Sequence, residues 1–404
     1  MKRGSHLVVL VVLCLALIIG AACGGGGGEE EESGVKELKI GIGEPLTGAL
    51  GAVVGLPCKV GFELAADKIG VFTVGDEQYR WKTIILNNTG DATGGVATAT
   101  KFTLEHGVHF IHQTGGAPAL ASQPICEGRD VILDCGCTTM QAFGPDHPTT
   151  FQSGPFSLAM DAPFYDWVSK AHPEVERITV VQSNAPLLIA FAESFESDMH
   201  EYFGLERDLI IYDATTVEFY HVANRVMSTN PELVMGPIAM FEIMSDMGYE
   251  GIYVCGGGYF EYQLENIGWD RCKGLITYHP TYLGDTWPET SAFAAEFERR
   301  SGAELGITGF WAGQVLYTIT GALQLAGTVD DTEKIREAIA SRTYFDSLVG
   351  PVYYGGEGIV GVNHLVMWPI SILEVVGPYE YEQLAYYTPE ECEAITVEAW
   401  QATK

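Results

Sequence analysis

Basic residues are scarce in this sequence: 22 lysines and arginines stand against 53 aspartates and glutamates, a formal charge of −31 at pH 7. A surface of that sign repels a phosphate backbone, which argues against nucleic acid as a partner. Anionic lipid heads repel it as well, so a basic face does not hold the chain to a membrane. The chain also lacks a G-x-S-x-G elbow, an H-E-x-x-H helix and a phosphate-binding G-x-x-x-x-G-K, the marks by which common hydrolases and nucleotide enzymes are read. Beyond the first 22 residues no apolar run reaches the roughly 20 residues that a membrane-spanning helix needs.

What is present begins with Lys2 and Arg3, an apolar run over 7–19, and the small residues Gly20, Ala21 and Ala22 before Cys23. This is the pattern of an export signal over 1–22. The small residues running into the cysteine resemble a bacterial lipobox, whose cysteine becomes the diacylated first residue of the mature chain; Ile19 departs from the usual pattern. The alternative is an ordinary signal peptide with an unmodified Cys23. Five glycines and four glutamates follow, a composition that favours an unfolded tether over 23–34, at most about 38 Å long for its last eleven residues. Without Lys2 and Arg3 the mature chain keeps 20 basic against 53 acidic residues, a formal charge of −33.

From Leu38 onward the text alternates short β-rich runs with amphipathic stretches. LKIGIGEPLTG, WKTIILNN, VHFIHQTGG and DVILDCGC read as strands, with helices over 59–69 and 94–106. A second series follows with RITVVQSN, DLIIYDAT, PELVMGPIA, GIYVCGGG and GLITYHP, and helices over 190–203 and 217–228. Helices are predicted over 308–326, 332–341 and 388–401, with antiparallel strands in GPVYYGGEGIVGVNHLVMWPISILEV. Two tandem parallel α/β units, and hence a bilobal body of about 370 residues, are expected. Seven cysteines remain after Cys14 and Cys23. In an oxidising compartment some should pair, and Cys255 with Cys272 is the favoured pair, since one ends a strand-like run and the other precedes the next.

IGIGEPLTGALGAVVG, GFELAADKIG, NNTGDATGGVATATKFTLEHGVHFIHQTGG, FQSGPFSLAMDAPFYDWV, GFWAGQVLYTITGALQLAG and GPVYY, in this order, resemble the solute-binding lipoproteins of ABC importers, in the branch of the leucine/isoleucine/valine-binding proteins. The resemblance covers about residues 38–365. It implies an α/β chain of two Rossmann-like lobes joined by a three-segment hinge, the type I periplasmic binding protein fold. Lobe 1 would comprise 35–152 and 283–349, and lobe 2 would comprise 153–282 and 350–404 with a C-terminal extension. The chain would cross between them near 152–155, 278–282 and 350–353. It implies as partners a small-molecule solute held between the lobes, an ABC permease with its ATPases, and the membrane through the lipid anchor. The receptor is expected to be a monomer without cofactor or metal, outside the cytoplasm.

The same resemblance carries over site positions one at a time. A serine that holds the solute carboxylate in amino-acid binders falls on Gly116 or Ala117, leaving the backbone N–H groups of Gly115, Gly116 and Ala117 as anion donors at a helix start; the stretch can equally be a plain tight turn. DCGCTTM places Gly136 and Thr138 in the second cradle. The tyrosine of the second lobe maps onto Leu187, and the carboxylate that pairs with a ligand ammonium maps onto Gly257 or Gly258, so that clamp is missing. Glu44 or Glu261 are candidates for a shifted clamp, and each can equally be a solvated acid. Leu46, Leu187, Tyr259, Phe260, Phe310 and Trp311 would supply apolar walls, or core. A buried cation without a partner is costly, so an aliphatic or aromatic carboxylate suits these residues better than a standard α-amino acid.

Two rival classes are weighed against this reading. His106, His109 and His112 recur every three residues, but along a strand His109 and His112 face opposite sides and cannot converge on one ion. Cys135 and Cys137 form only a C-x-C, short of the four ligands zinc takes. Asp134 has no histidine at readable spacing, although triads assemble from distant positions. An enzyme is therefore not expected. A sensor reporting to a membrane signalling protein would use the same body, since fold does not fix function.

Overall fold

The computed structural model describes residues 34–136, 139–154, 157–184, 196–256, 261–279 and 288–404. Its first sheet has six strands in the order β2-β3-β1-β4-β5-β6. These are β1 (Val35–Glu44), β2 (Val71–Val74), β3 (Glu77–Asn87), β4 (Phe110–Thr114), β5 (Ile132–Gly136) and β6 (Thr150–Phe151). All pair in parallel except β2, which turns back on β3. The period of two in LKIGIG explains how β1 sits. Leu38, Ile40 and Ile42 all point into one core, with Phe62 of helix α1 (Leu56–Ile69) and Phe310, Val315 and Ile319 of a later helix. On the opposite face Phe102, Ile111 and Leu133 close a second layer beneath α2 (Ala92–Lys101) and α3 (Gly116–Glu127). Asp91 starts α2 by accepting the Gly94 N–H at 2.8 Å.

The second sheet has seven strands, β15-β14-β11-β10-β9-β7-β8. Five are parallel: β7 (Arg177–Ser183), β8 (Glu206–Tyr212), β9 (Leu233–Met235), β10 (Ile252–Gly256) and β11 (Ile276–His279). The antiparallel pair β14 (Ile370–Gly377) and β15 (Glu380–Tyr387) extends it at the β11 edge. Its faces are covered by α4 (Ser157–Ala171), α5 (Glu196–Tyr202), α6 (Tyr220–Ser228), α7 (Ile238–Asp246) and α8 (Glu261–Ile267), over two cores on either side of the sheet. The parallel α/β architecture read from the sequence is thus present twice.

The chain then returns to the first sheet. Helices α9 (Pro288–Ser301), α10 (Ile307–Ala326) and α11 (Thr332–Ala340) place Phe293, Phe310, Leu316 and Ile335 in the first core. The third passage differs from expectation. Instead of crossing at 350–353, the chain forms β12 (Tyr353–Gly355), which pairs antiparallel with β13 (Leu365–Met367). Val352, Tyr354, Val366 and Trp368 still belong to the first core, and Ile370 is the first residue to enter the second. The reason is pairing: Leu365 bridges Gln152 in parallel, so β13 continues the first sheet's edge before the chain leaves it. The terminal helix α12 (Pro389–Ala402) begins with a capping box of Thr388 and Glu391. Glu393 in that helix accepts from both Arg342 guanidinium nitrogens, the Tyr353 hydroxyl and the Gly356 N–H, which fastens the C-terminal extension to β12.

The expected Cys255–Cys272 disulfide is not formed; both side chains are buried thiols. Cys255 lies in β10, where its backbone pairs with Thr277, and the Cys272 thiol donates to the Leu264 carbonyl at 3.9 Å. Both side chains lie in the same core layer of the second sheet, yet each remains a thiol.

Candidate functional site

Parallel strands leave their C-terminal ends and the following helix starts on one edge, where open α/β sheets bind ligands. β1, β4 and β5 are neighbours in the first sheet, so their last residues, Glu44, Thr114 and Gly136, come together at that edge. Leu46 is half-buried, and its N–H donates to Asn87 Oδ1 at 3.0 Å. Gly115, with φ +101°, makes the turn into α3, a conformation that favours glycine. Its N–H is already taken, donating to the Gly136 carbonyl at 3.0 Å. That corrects the expected trio of anion donors: Gly115 and Gly136 brace each other, and the N–H groups of Gly116 and Ala117 stand at the helix start without intrahelical acceptors. Pro118, third in the helix, has no N–H to leave unsatisfied.

Thr138, Leu187, Gly257, Tyr259 and Phe260 lie outside the described residues, as does Cys23. Phe310 is fully buried and packs edge-on against Trp368, ring centroids 5.8 Å apart; it is core, not wall. Trp311, half-buried on the same helix, lies against the first passage between the lobes. A Cβ on Gly154 would come within 1.5 Å of its indole nitrogen, so only glycine fits there.

Neither acid considered as a shifted clamp is a solvated surface carboxylate. Glu261 accepts from the Tyr381 hydroxyl at 3.3 Å, and burial together with nearby Glu304 raises its carboxyl pKa. Glu304, from the segment between α9 and α10, accepts the Glu261 N–H at 2.8 Å and so joins the first lobe to the start of α8. Glu44 is wholly buried and belongs to a cluster that sequence reasoning missed. Thr114 Oγ1 donates to Glu44 Oε1 at 2.9 Å and accepts from His112 Nε2 at 2.9 Å. His112 Nδ1 donates to Asp134 Oδ2 at 2.6 Å. Asp134 Oδ1 accepts the Ser153 N–H at 2.7 Å, and Ser153 shares a 2.6 Å hydroxyl contact with Tyr354.

Donation from both ring nitrogens makes His112 an imidazolium. Burial alone would lower its pKa, but the hydrogen bonds and charges of Asp134 and Glu44 outweigh burial and raise it to about 9. Burial raises the pKa of Glu44, against the lowering effect of His112. No local signal gave the cluster: His112 faces Asp134 because Thr114 pairs with Gly136 in the β4–β5 register, and aligning the glycines of HQTGG and DCGC would have set Gln113 or Thr114 there instead. His109, by contrast, is exposed. Among the described residues no group of three or more potential ligands is placed to hold a metal ion.

Two further histidines sit at the passages between the lobes. His279 ends β11, and the His364 carbonyl accepts the Gln152 N–H at 2.9 Å. Burial holds both imidazoles neutral, lowering the pKa of His279 to about 3 and of His364 to about 4. Folded values below the ordinary 6.5 mean that their contribution to stability is intact above pH 6.5 and is lost as pH falls toward 4 and 3. Each should cost about 2 kcal/mol by pH 5. Urea midpoints of the wild type should therefore fall between pH 6.5 and 5, and His364→Gln should flatten part of that fall; an unchanged slope in the variant would contradict the assignment.

A surface cavity lined by Trp167, His172, Tyr249, Arg271 and Lys273 opens at the other edge of the second sheet, where β10 and β11 begin. That is the wrong end of the strands for the ligand site of an open parallel sheet.

Comparison with known proteins agrees with this fold. A solute-binding protein of an ABC transporter from Sphaerobacter thermophilus superposes with a TM-score of 0.72 at 20% identity, over 88% of this chain and 98% of its own. One from Rhodopseudomonas palustris BisB5, solved with 3,4-dihydroxybenzoic acid, gives 0.70 at 17% identity over 87% and 98%. The leucine-binding protein LivK of Thermotoga maritima gives 0.66 at 18% identity over 87% and 99%. No curated relative matches the sequence. The family model described as periplasmic binding protein matches residues 37–376, most of the chain, and together with the two parallel sheets and three passages this makes the chain a member of the periplasmic binding protein family.

Proposed function

We propose that this protein is the extracytoplasmic solute receptor of an ABC importer, anchored through a lipidated Cys23, which captures a small aliphatic or aromatic carboxylate between its lobes and delivers it to the permease. The observation that carries the choice of ligand is the pairing of acids and donors at the first sheet's edge. Gly116 and Ala117 offer two backbone N–H groups to an anion, while Glu44 gives Oε1 to Thr114 and His112 and keeps Oε2 buried in the core, and Glu261 is turned to Tyr381. A carboxylate has donors, and an accompanying ammonium has no acid set aside for it among the described residues. Structural relatives solved with benzoate and 4-hydroxybenzoate support an aromatic acid; one solved with isoleucine keeps branched-chain amino acids as the alternative. Family membership supports a location outside the cytoplasm, and the acidic surface supports attachment by acyl chains rather than by charge.

Calorimetric titration of the body from Ser33 onward, stripped of ligand, tests the choice. Benzoate, 4-hydroxybenzoate or 3,4-dihydroxybenzoate is expected to bind at micromolar Kd or tighter, with leucine, isoleucine and valine at least a hundredfold weaker. Tight leucine binding would show that another acid receives the ammonium.

A further inference from the structure

The cluster around His112 joins parts of the molecule that solute capture must hold together. Glu44 is the last residue of β1, ahead of Leu46; Thr114 is the last of β4, ahead of Gly115; Asp134 lies two residues before Gly136 in β5. The ring of His112 touches all three through hydrogen bonds or close charge contact, with Nε2 3.4 Å from Glu44 Oε1. It also occupies the space that a side chain at position 136 would need, since a Cβ on Gly136 would lie 2.8 Å from its Cε1. Beyond Asp134 the same run of hydrogen bonds leaves the sheet edge. It passes through Ser153 on the first passage to the Tyr354 hydroxyl on β12, which reaches Thr318 Oγ1 in α10 at 3.3 Å. Phe62 of α1 packs on the ring, centroids 4.9 Å apart, so the hub cannot turn away without opening the core.

We propose that His112 is a positioning residue for solute capture, which holds the C-terminal ends of β1, β4 and β5 and the turn at Gly115 in one arrangement with the first passage between the lobes. The inference rests on the reading of that edge as the solute site. Small displacements of Gly116 and Ala117 would spoil a carboxylate site, because hydrogen bonds weaken steeply with distance and angle. The titratable groups that face the hub are Glu44 from β1, Cys58 from α1 beside Glu44, Asp134 from β5 and Tyr354 from β12.

The test uses the mature chain, with His112→Gln as the main variant and Ser153→Ala as a milder one that keeps the backbone N–H bond to Asp134. Two readouts are taken. Binding of benzoate and 4-hydroxybenzoate is measured from pH 7 to 10, and amide hydrogen exchange is measured without ligand. The wild type is expected to lose affinity above pH 9, and His112→Gln is expected to raise Kd at least tenfold at pH 7 and to remove that pH dependence. It should also speed exchange at least tenfold at 114–117 and 152–154 together, with β7 unchanged. Wild-type affinity in the variant, or faster exchange confined to β4, would overturn the proposal. Should His112→Gln fail to fold, Ser153→Ala decides: a threefold or greater rise in Kd with faster exchange at 152–154 supports the proposal, and wild-type values overturn it. A wild type that binds neither acid defeats the carboxylate reading by itself, and the exchange data then still decide whether His112 fixes these strand ends.

Discussion

Asp134→Ala is expected to destabilise the protein by about 3 to 5 kcal/mol at pH 7, the cost of leaving a buried charge without its partner. Asp134 is 2% exposed and accepts two short hydrogen bonds, from the His112 ring and from the Ser153 N–H. Alanine removes both acceptors, so the imidazolium must either stay charged in the core without its partner or release its Nδ1 proton, keeping only the Nε2 donation to Thr114, while the Ser153 N–H loses its acceptor. Asp134→Asn keeps an oxygen for Ser153 and should cost less, about 1 to 2 kcal/mol. The sign of the pH dependence follows from the raised pKa of His112. Its contribution is complete below about pH 6.5 and is lost as pH rises through about 9. The gap between wild type and Asp134→Ala should therefore narrow on going from pH 7 to pH 9.5. Urea unfolding followed by tryptophan fluorescence at the two pH values measures it; equal midpoints at pH 7 would show that the pair contributes nothing.

Gly61→Ala is expected to cost about 3 kcal/mol, at the upper end of what overpacking by a single methyl group does. Gly61 is where α1 presses on α10. A Cβ there would lie 2.0 Å from the Gly309 carbonyl oxygen and 3.2 Å from the Ala312 Cβ. The oxygen belongs to the α10 backbone and the Ala312 methyl is fixed directly to it, so relief requires the two helices to part. Parting them opens the layer that holds Phe62, Phe310 and Ile319. A control at exposed Gly107, whose own Cβ would meet nothing within 4 Å, is complicated by its left-handed φ of +61°; Val53→Ala, on an exposed side chain, is the better one and should change stability by less than about 0.5 kcal/mol. If Gly61→Ala unfolds at the wild-type urea concentration, the close approach of the two helices is not maintained in solution.

The relation between text and structure differs from element to element. LKIGIG, RITVVQS and the long α10 were legible because burial leaves alternating leucine and isoleucines in the first, a short β-branched run buried on both faces in the second, and a continuous apolar face on a core helix. The C-terminal helix was legible from Thr388, Pro389 and Glu391, whose capping chemistry is local. The third passage, placed near 350–353 by the resemblance, comes later in the chain because a bridge from Leu365 to Gln152, spanning more than 200 residues, keeps the chain on the first sheet. The cysteine pairing failed for a similar reason: sequence spacing says where a strand ends, not which way its sulfur points.

By itself, then, the sequence determined the acidic balance and the two parallel α/β units, because those depend on composition and on periods that each segment carries within itself. Only the tertiary structure decided which acids are available to a solute. Glu44 reads as a surface carboxylate beside a loop, yet strand order places it against His112 and Thr114 in the core. Gly115 reads as an anion donor, yet the adjacent β5 supplies Gly136 as its acceptor. Each of these outcomes is set by a neighbour on another strand, and register between strands is a property of the packed sheet.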